Sequence, residues 1–143
     1  MGVTIESKNH YIDLGYGGFM SLRTKVAELA APDICEHYKK SMDGMRLYDE
    51  DERKAFYESY NAKIEELDKK YNGKMSDVLA FFYQSDCSAE MDADHCRSIY
   101  EVIKNYDDDI LYGYVGRKDC AKFADFKKIV KDGIDSGDGF SWC

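Results

Sequence analysis

Proline is nearly absent from this chain: Pro32 is the only one in 143 residues. Internal repeats, linkers and low-complexity segments are missing too. The hydrophobic and aromatic shares, 44% and 14%, argue against a disordered polypeptide. We therefore expect a single domain, residues 1–143, that buries about two thirds of its unfolded surface.

Long apolar runs and export signals are also missing. No apolar stretch approaches the roughly 20 residues of a membrane-spanning helix, and no signal peptide is visible. The cysteines are odd in number: Cys35, Cys87, Cys96, Cys120 and Cys143. These features predict a reduced cytoplasmic protein with free thiols, acting in a host cell and not at a membrane.

No catalytic signature and no complete metal site appears. The segment QSDCSAEMDADH follows a calcium loop only superficially, because Ala89 replaces the turn glycine and His95 replaces the final bidentate acid. Cys87 and Cys96 lie too far apart for a usual zinc knuckle. We expect no metal and no cofactor, and we expect Cys96, on an apolar helix stripe, to be a buried thiol.

The net charge of −8 disfavours direct binding to nucleic acid, whose backbone it repels. The charge is uneven, because residues 75–143 carry 8 basic and 14 acidic residues. An acidic half of this kind attracts a basic protein surface or a cation. The alternative interpretation is an ordinary charged surface.

Hydrophobic periodicity predicts the secondary structure. Residues 3–14 alternate around SKN, as in a hairpin with one buried face. A glycine-rich loop and a helix from Ser21 are expected next, with a break at Pro32 and a second helix there. A third helix, between DEDE and Lys69-Lys70, carries a stripe predicted to be buried. The members of the stripe are Phe56, Tyr60, Ile64, Leu67 and Tyr71.

Three more helices are expected: one that Ser76 caps, one carrying Cys96 to Ile103, and one from Asp119 to SGDG. The segment SDCSAEMDAD is expected to be a loop, and ILYGYVG and FSWC to be strands. The predicted fold class is α+β, a mainly helical single domain with a small antiparallel sheet that includes the N-terminal hairpin. An all-helical bundle with an added hairpin is the alternative.

The stretch DLGYGGFMSLR, Asp13 to Arg23, is the candidate ligand-binding segment. Glycines allow a ligand to approach the backbone, a helix start offers N–H donors, and an arginine binds phosphate or carboxylate. The candidate residues are Tyr16, Gly17, Gly18, Phe19 and Arg23, with Arg117 of the GRKDC turn as a second phosphate partner. The spacing matches neither a P-loop nor a dinucleotide fingerprint. A tight turn with Phe19 in the core is the other interpretation.

A second candidate surface is the acidic cluster Asp107, Asp108 and Asp109. These residues lie at a predicted helix end, where the helix dipole disfavours negative charge. The cluster is interpreted either as a solvated helix end or as a docking patch for a basic protein surface.

Several segments together resemble a group of small uncharacterised Firmicutes proteins, often found on phages and other mobile elements. The resemblance covers nearly the whole chain, on MGVTIESKNHYIDLGYGGFMSLRTKVAEL, FFYQSDCSAEM, YDDDILYGYVGRKDC and FKKIVKDGID. A broader bacterial set, reading YSGF…R and SDCDG, is similar in two short motifs, although Ser88-Ala89 departs from DG. The resemblance implies a phage or mobile-element accessory protein with a counter-defence role, and it supplies no activity.

Three functions remain open at this point. The first is a non-catalytic binder that sequesters a small phosphorylated or nucleotide ligand. The second is an acidic inhibitor that binds the basic surface of a host defence enzyme such as a nuclease. The third, ranked last because no catalytic set can be assembled, is a nucleotide-processing enzyme. The oligomeric state is left open.

Overall fold

The predicted N-terminal hairpin forms one side of a four-stranded antiparallel sheet. The computed structural model describes residues 2–85, 87–112 and 121–143. Strands β1 (Gly2–Ser7) and β2 (Tyr11–Gly15) pair antiparallel along their length. The other strands are β3 (Ala89–Met91), β4 (Leu111–Tyr112), β5 (Ala121–Lys122) and β6 (Phe140–Trp142). The hairpin prediction is confirmed.

Six α-helices surround the sheet in the described residues, which confirms the predicted α+β class. They are α1 (Tyr16–Ala30), α2 (Pro32–Lys39), α3 (Glu50–Lys70), α4 (Ser76–Tyr83), α5 (Ala93–Ile103) and α6 (Phe123–Ser136). Two 3-10 turns, Lys40–Met42 and Gly44–Arg46, connect α2 to α3. None of the helices in these ranges is long and apolar enough to cross a lipid bilayer.

The C-terminal strand lies inside the sheet, whose strand order is β2-β1-β6-β3. Trp142 of β6 is opposite Ile5 on one side and Ala89 on the other. The strand predicted at FSWC is therefore confirmed. The prediction of a loop at SDCSAEMDAD is partly wrong, because residues 89–91 pair with β6 and form a strand.

The described part of the ILYGYVG segment, residues 110–112, does not join this sheet. Leu111 and Tyr112 pair with Lys122 and Ala121 in a separate two-stranded sheet. The residues between them, 113–120, lie outside the described ranges, and so do Cys120 and the predicted helix cap Asp119.

The first long helix begins earlier than its glycines indicate. α1 begins at Tyr16, five residues before Ser21, so the prediction of a glycine-rich loop was wrong. Gly17 and Gly18 lie in the first helical turn. Glycine has a low helix propensity, but Phe19 is buried on α1 together with Leu22, and most helix stability in proteins comes from such packing.

Helix α3 has the predicted limits, and the residues of its stripe differ in burial. Asp49 caps it by accepting a hydrogen bond from the backbone N–H of Asp51 at 2.8 Å. Leu67 is fully buried, whereas Phe56 and Ile64 are only half-buried. All three were predicted to be largely buried, and Leu67 meets this prediction most fully. One face of α3 is left available to line surface clefts.

A cluster of aromatic rings joins the helices to the sheet. Phe81 of α4 stacks on Phe126 of α6 at 5.5 Å between ring centroids and meets Trp142 of β6 at 5.6 Å. Phe19 of α1 lies 6.4 Å from Phe81. This packing fixes the start of α1 beside the end of α4, where the candidate site lies.

The thiols follow the same division between core and surface. Cys35 and Cys96 are buried, and Cys87 and Cys143 are exposed. Burial raises the pKa of Cys96 to about 12, so this thiol is unreactive at neutral pH. The prediction that Cys96 is a buried thiol is confirmed.

Candidate functional site

A cleft of about 470 Å³ opens beside the start of α1. We call it the aromatic cleft. Its described lining residues are Tyr16, Gly17, Phe19, Met20 and Arg23 from α1, Tyr38, Ser41, Met42 and Met45 from α2 and the 3-10 turns, Tyr57 and Tyr60 from α3, and Phe82, Tyr83, Gln84 and Ser85 from the end of α4 and the segment after it. The volume falls within the range typical of small-molecule sites.

Four of the residues predicted from DLGYGGFMSLR meet in this cleft: Tyr16, Gly17, Phe19 and Arg23. Gly18 is half-buried and lies beside the lining rather than in it. Arg117, predicted as a second phosphate partner, lies outside the described residues.

Arg23 is held by the protein itself. Its side chain is 3% exposed, and its Nη2 donates to the backbone carbonyls of Gln84 at 3.2 Å and Ser85 at 3.3 Å. The guanidinium lies over the rings of Phe19 and Trp142, at 4.5 and 5.0 Å from their centroids. Arg23 therefore fastens the segment after α4 to α1, while its cationic charge stays at the back of the cleft.

The N-terminus of α1 lies at the cleft, where Tyr16 and Gly17 are lining residues. Gly15 is the N-cap and has no side chain to cap the helix, and the first turn contains no acidic residue. A Cβ built on Gly17 would meet nothing within 4 Å, so the backbone there is open to a ligand. The N–H groups and partial positive charge of a helix start favour an anion at this end of the cleft.

The described lining of the cleft differs in charge from the protein as a whole. The protein has 28 Asp and Glu residues in 143, yet none of the described lining residues is acidic and one, Arg23, is basic. The lining is therefore electrostatically distinct from the rest of this acidic protein.

The wall formed by α3 and α4 is held together by His37, which sequence reasoning missed. Its Nε2 donates to the backbone carbonyl of Tyr60 at 3.0 Å, so its Nδ1 accepts from the hydroxyl of Tyr83 at 2.6 Å. The Tyr60 ring stacks on the imidazole with centroids 4.0 Å apart. Burial raises the pKa of Tyr60 to about 12 and that of Tyr83 above its usual range, which keeps both phenols neutral.

Burial also lowers the pKa of His37, and the charges of Lys63 and Lys40 lower it further, against the hydrogen bond to the Tyr60 carbonyl, which raises it. His37 also lines a second pocket, together with the acidic residues Asp33 and Glu36. The lowered pKa favours the neutral imidazole, in which Nδ1 accepts the Tyr83 hydrogen bond.

We expect this histidine to make the fold less stable in acid. A lowered folded-state pKa means that the unfolded chain binds the proton more readily. The contribution of His37 is complete above the unfolded value of about 6.5 and decreases as the pH falls below it. Urea denaturation measures the free energy of unfolding at about pH 7.5 and at about pH 5. Between these two pH values, the free energy of unfolding should fall less for His37→Gln than for wild type. Equal losses would contradict the role of His37, and His10→Gln is the matched control.

The acidic cluster has mostly local partners. Asp108 forms an ion pair with Lys127 at 2.7 Å, and Asp109 lies 3.9 Å from the Lys122 ammonium. Asp107 accepts a hydrogen bond from the backbone N–H of Asp109 at 2.9 Å. The three side chains are exposed, but neighbouring lysines reduce the negative charge that they present to a partner.

Within residues 2–85, 87–112 and 121–143, no group of three or more His, Cys, Asp or Glu side chains is placed to hold a metal ion. His95 is instead paired with Asp92 at 2.7 Å, and Asp92 caps α5.

The sequence patterns around Tyr60 and Tyr83, on the wall of the cleft opposite α1, did not predict a binding site. Tyr60 belongs to the α3 stripe and Tyr83 to the apolar α4 segment, and both patterns predict core packing.

No protein-family model matches this chain, and neither a curated protein nor a solved structure matches it.

Proposed function

We propose that this protein is a non-catalytic binder that captures a small nucleotide-like ligand in the aromatic cleft. One observation carries the proposal: a single cleft combines aromatic walls, an uncapped helix N-terminus and a lining without carboxylates among its described residues. A nucleotide needs both of these surfaces, a flat face for its base and N–H donors for its phosphate.

The aromatic side chains supply the first requirement. Tyr57, Tyr60 and Tyr83 come from two helices and converge on the cleft. Stacking of a base on an aromatic ring contributes about 1–3 kcal/mol. Met20, Met42 and Met45 add flexible apolar contacts at the exposed rim. The walls therefore suit the planar base of a purine or of a pyrimidine nucleotide.

The arrangement favours binding over catalysis. Both ring nitrogens of His37 are used inside the protein, so this imidazole has no position from which to transfer a proton to a ligand. Cys35 and Cys96 are buried and do not line the cleft. A nucleotide-processing enzyme remains the third candidate.

The resemblance to phage and mobile-element proteins gives the proposal its biological setting. A non-catalytic binder made during infection would lower the free concentration of a nucleotide signal in the host cell and so act against host defence. This step depends on the resemblance and not on the geometry of the cleft.

The acidic-inhibitor alternative is favoured by the charge of residues 75–143 and by the exposure of Asp107 to Asp109. It is weakened by the ion pair between Asp108 and Lys127. It becomes the leading candidate if the wild-type protein binds no nucleotide and co-purifies with a basic host protein.

Gly17 allows the proposal to be tested without disturbing the fold. Gly17→Asp should place a carboxylate at the helix start, where the dipole stabilises it by about 0.3–1 kcal/mol. The same carboxylate would repel an anionic ligand from the cleft. We expect an unchanged or higher melting temperature together with a loss of nucleotide binding of at least about tenfold.

The measurement is isothermal titration calorimetry against a panel of nucleotides, with native mass spectrometry of protein from infected cells to detect retained ligand. Gly17→Asn is the matched control, because it has the same shape without the charge. We expect it to bind more tightly than Gly17→Asp. Equal affinity of wild type and Gly17→Asp for every nucleotide that binds would contradict an anion site at α1.

A further inference from the structure

We infer that the ligand is a nucleotide whose phosphate is a singly charged phosphodiester, held mainly through its base, and that nucleoside triphosphates are excluded. This inference rests on the proposed function. It follows from how little positive charge the described lining of the aromatic cleft provides and how much aromatic surface it offers.

The supply of cationic donors is small. Arg23 is the one cationic side chain among the described lining residues, and its Nη2 already donates to the carbonyls of Gln84 and Ser85. Lys40 is on the adjoining 3-10 turn, but it pairs with Glu36 at 3.4 Å. Sites for triphosphates place lysine or arginine directly against the phosphates.

No described lining residue offers a carboxylate to a magnesium ion that would make up the difference. A triphosphate normally arrives with Mg²⁺, which the protein holds through one or two carboxylates. The described lining contains no Asp or Glu. A triphosphate would therefore bring several negative charges into the cleft without their usual counter-ions.

The helix N-terminus matches a single charge. It acts as roughly +0.5 of an elementary charge, and the positions around Gly17 leave its backbone accessible. Together with the Arg23 charge behind the Phe19 ring, this is enough to favour one negative charge. It does not offset the several charges of a polyphosphate.

The remaining affinity must come from apolar contact. Met20 and Met45 are 43% and 64% exposed at the rim, and Tyr57 and Tyr60 form the wall behind them. Because these side chains offer no charge to a phosphate, they contribute only if the ligand has a flat, weakly polar ring.

The test is a charge series at constant base, measured by calorimetry on the full-length protein. For each of adenosine, guanosine, cytidine and uridine, the probes are the nucleoside, the 3′,5′-cyclic monophosphate, the 5′-monophosphate and the 5′-triphosphate with Mg²⁺. For at least one base we expect the cyclic phosphodiester to bind about tenfold or more tightly than the triphosphate. RNA is the other source of phosphodiesters, and a single-stranded RNA hexamer is the probe for it. We expect the hexamer not to bind, because the protein has a net charge of −8 that repels a nucleic acid backbone.

Two variants separate the base from the phosphate. Tyr57→Ala should weaken the nucleoside and the cyclic nucleotide by a similar factor of about tenfold, whereas Gly17→Asp should weaken only the charged probes. Tyr48→Ala is the control, because Tyr48 is fully exposed and does not line the cleft.

The outcomes separate this inference from the proposal on which it rests. A triphosphate or 5′-monophosphate that binds more tightly than every phosphodiester would overturn the inference and leave nucleotide capture in place. Preferential binding of the RNA hexamer would also overturn it. If no probe binds, nucleotide capture itself fails.

Discussion

Replacing Arg23 with alanine is expected to lower the free energy of unfolding by about 3–5 kcal/mol, the range for truncating a large buried side chain whose hydrogen-bond partners stay buried. The guanidinium is 3% exposed and bonds to the carbonyls of Gln84 and Ser85. Trp142 also donates, through Nε1, to the Ser85 carbonyl at 2.8 Å. Removing Arg23 therefore leaves a void among aromatic rings and loosens one wall of the cleft.

Urea denaturation measures this loss, and Arg97→Ala is the matched control. Arg97 is largely exposed and pairs with Asp94 on the same helix, so its removal should change stability by less than about 0.5 kcal/mol. Arg23→Lys should lie between the two, because an ammonium keeps the charge but not the planar fork. Equal effects of Arg23→Ala and Arg97→Ala would mean that Arg23 does not support the fold and is available to a ligand.

Replacing Gly139 with alanine is expected to have a similarly large effect, about 3–5 kcal/mol, from strain and overlap together. Gly139 has a φ of 69°, in the left-handed region. An added Cβ would also lie 1.8 Å from the backbone carbonyl oxygen of Met91. Because that carbonyl belongs to β3, the pairing of β3 with β6 must shift to admit the methyl group.

Gly137 provides the control within the same turn. It has a φ of 78° and caps the end of α6, but a Cβ there would meet nothing within 4 Å. Gly137→Ala should therefore cost only the backbone strain, about 1–2 kcal/mol. Thermal and urea unfolding of the two variants should separate them clearly. Equal losses of stability in the two variants would show that β3 shifts at little cost. The close approach of the Met91 carbonyl to Gly139 would then not limit the residue at position 139.

The sequence predicted well those features that depend on neighbouring residues. The helix break at Pro32, the start of α3 at DEDE and the end of α6 at SGDG are all where residue type indicates. Each depends on a cap, a missing N–H or a left-handed turn that involves only a few adjacent residues. Alternation in the first 15 residues likewise predicted the hairpin.

The features that the sequence did not predict depend on distant residues. The sequence marks Gly17 and Gly18 as a loop, but the burial of Phe19 against Phe81 and Trp142 makes them helical. Phe56 and Ile64 have the spacing of a core stripe, yet how much of α3 is covered depends on where α2 and α4 end. Residue type alone does not specify which of several amphipathic faces is buried.

For the candidate site, the sequence by itself identified Tyr16, Gly17, Phe19 and Arg23, since glycines, aromatic rings and an arginine beside a helix start have chemistry that can be named in advance. Only the tertiary structure placed the aromatic wall opposite them and turned Arg23 inward. The physical reason is distance along the chain: Arg23 bonds to carbonyls 61 and 62 residues away, and His37 joins Tyr60 and Tyr83 across 23 and 46 residues. Contacts of that range are determined by packing of the whole core, and no local pattern encodes them.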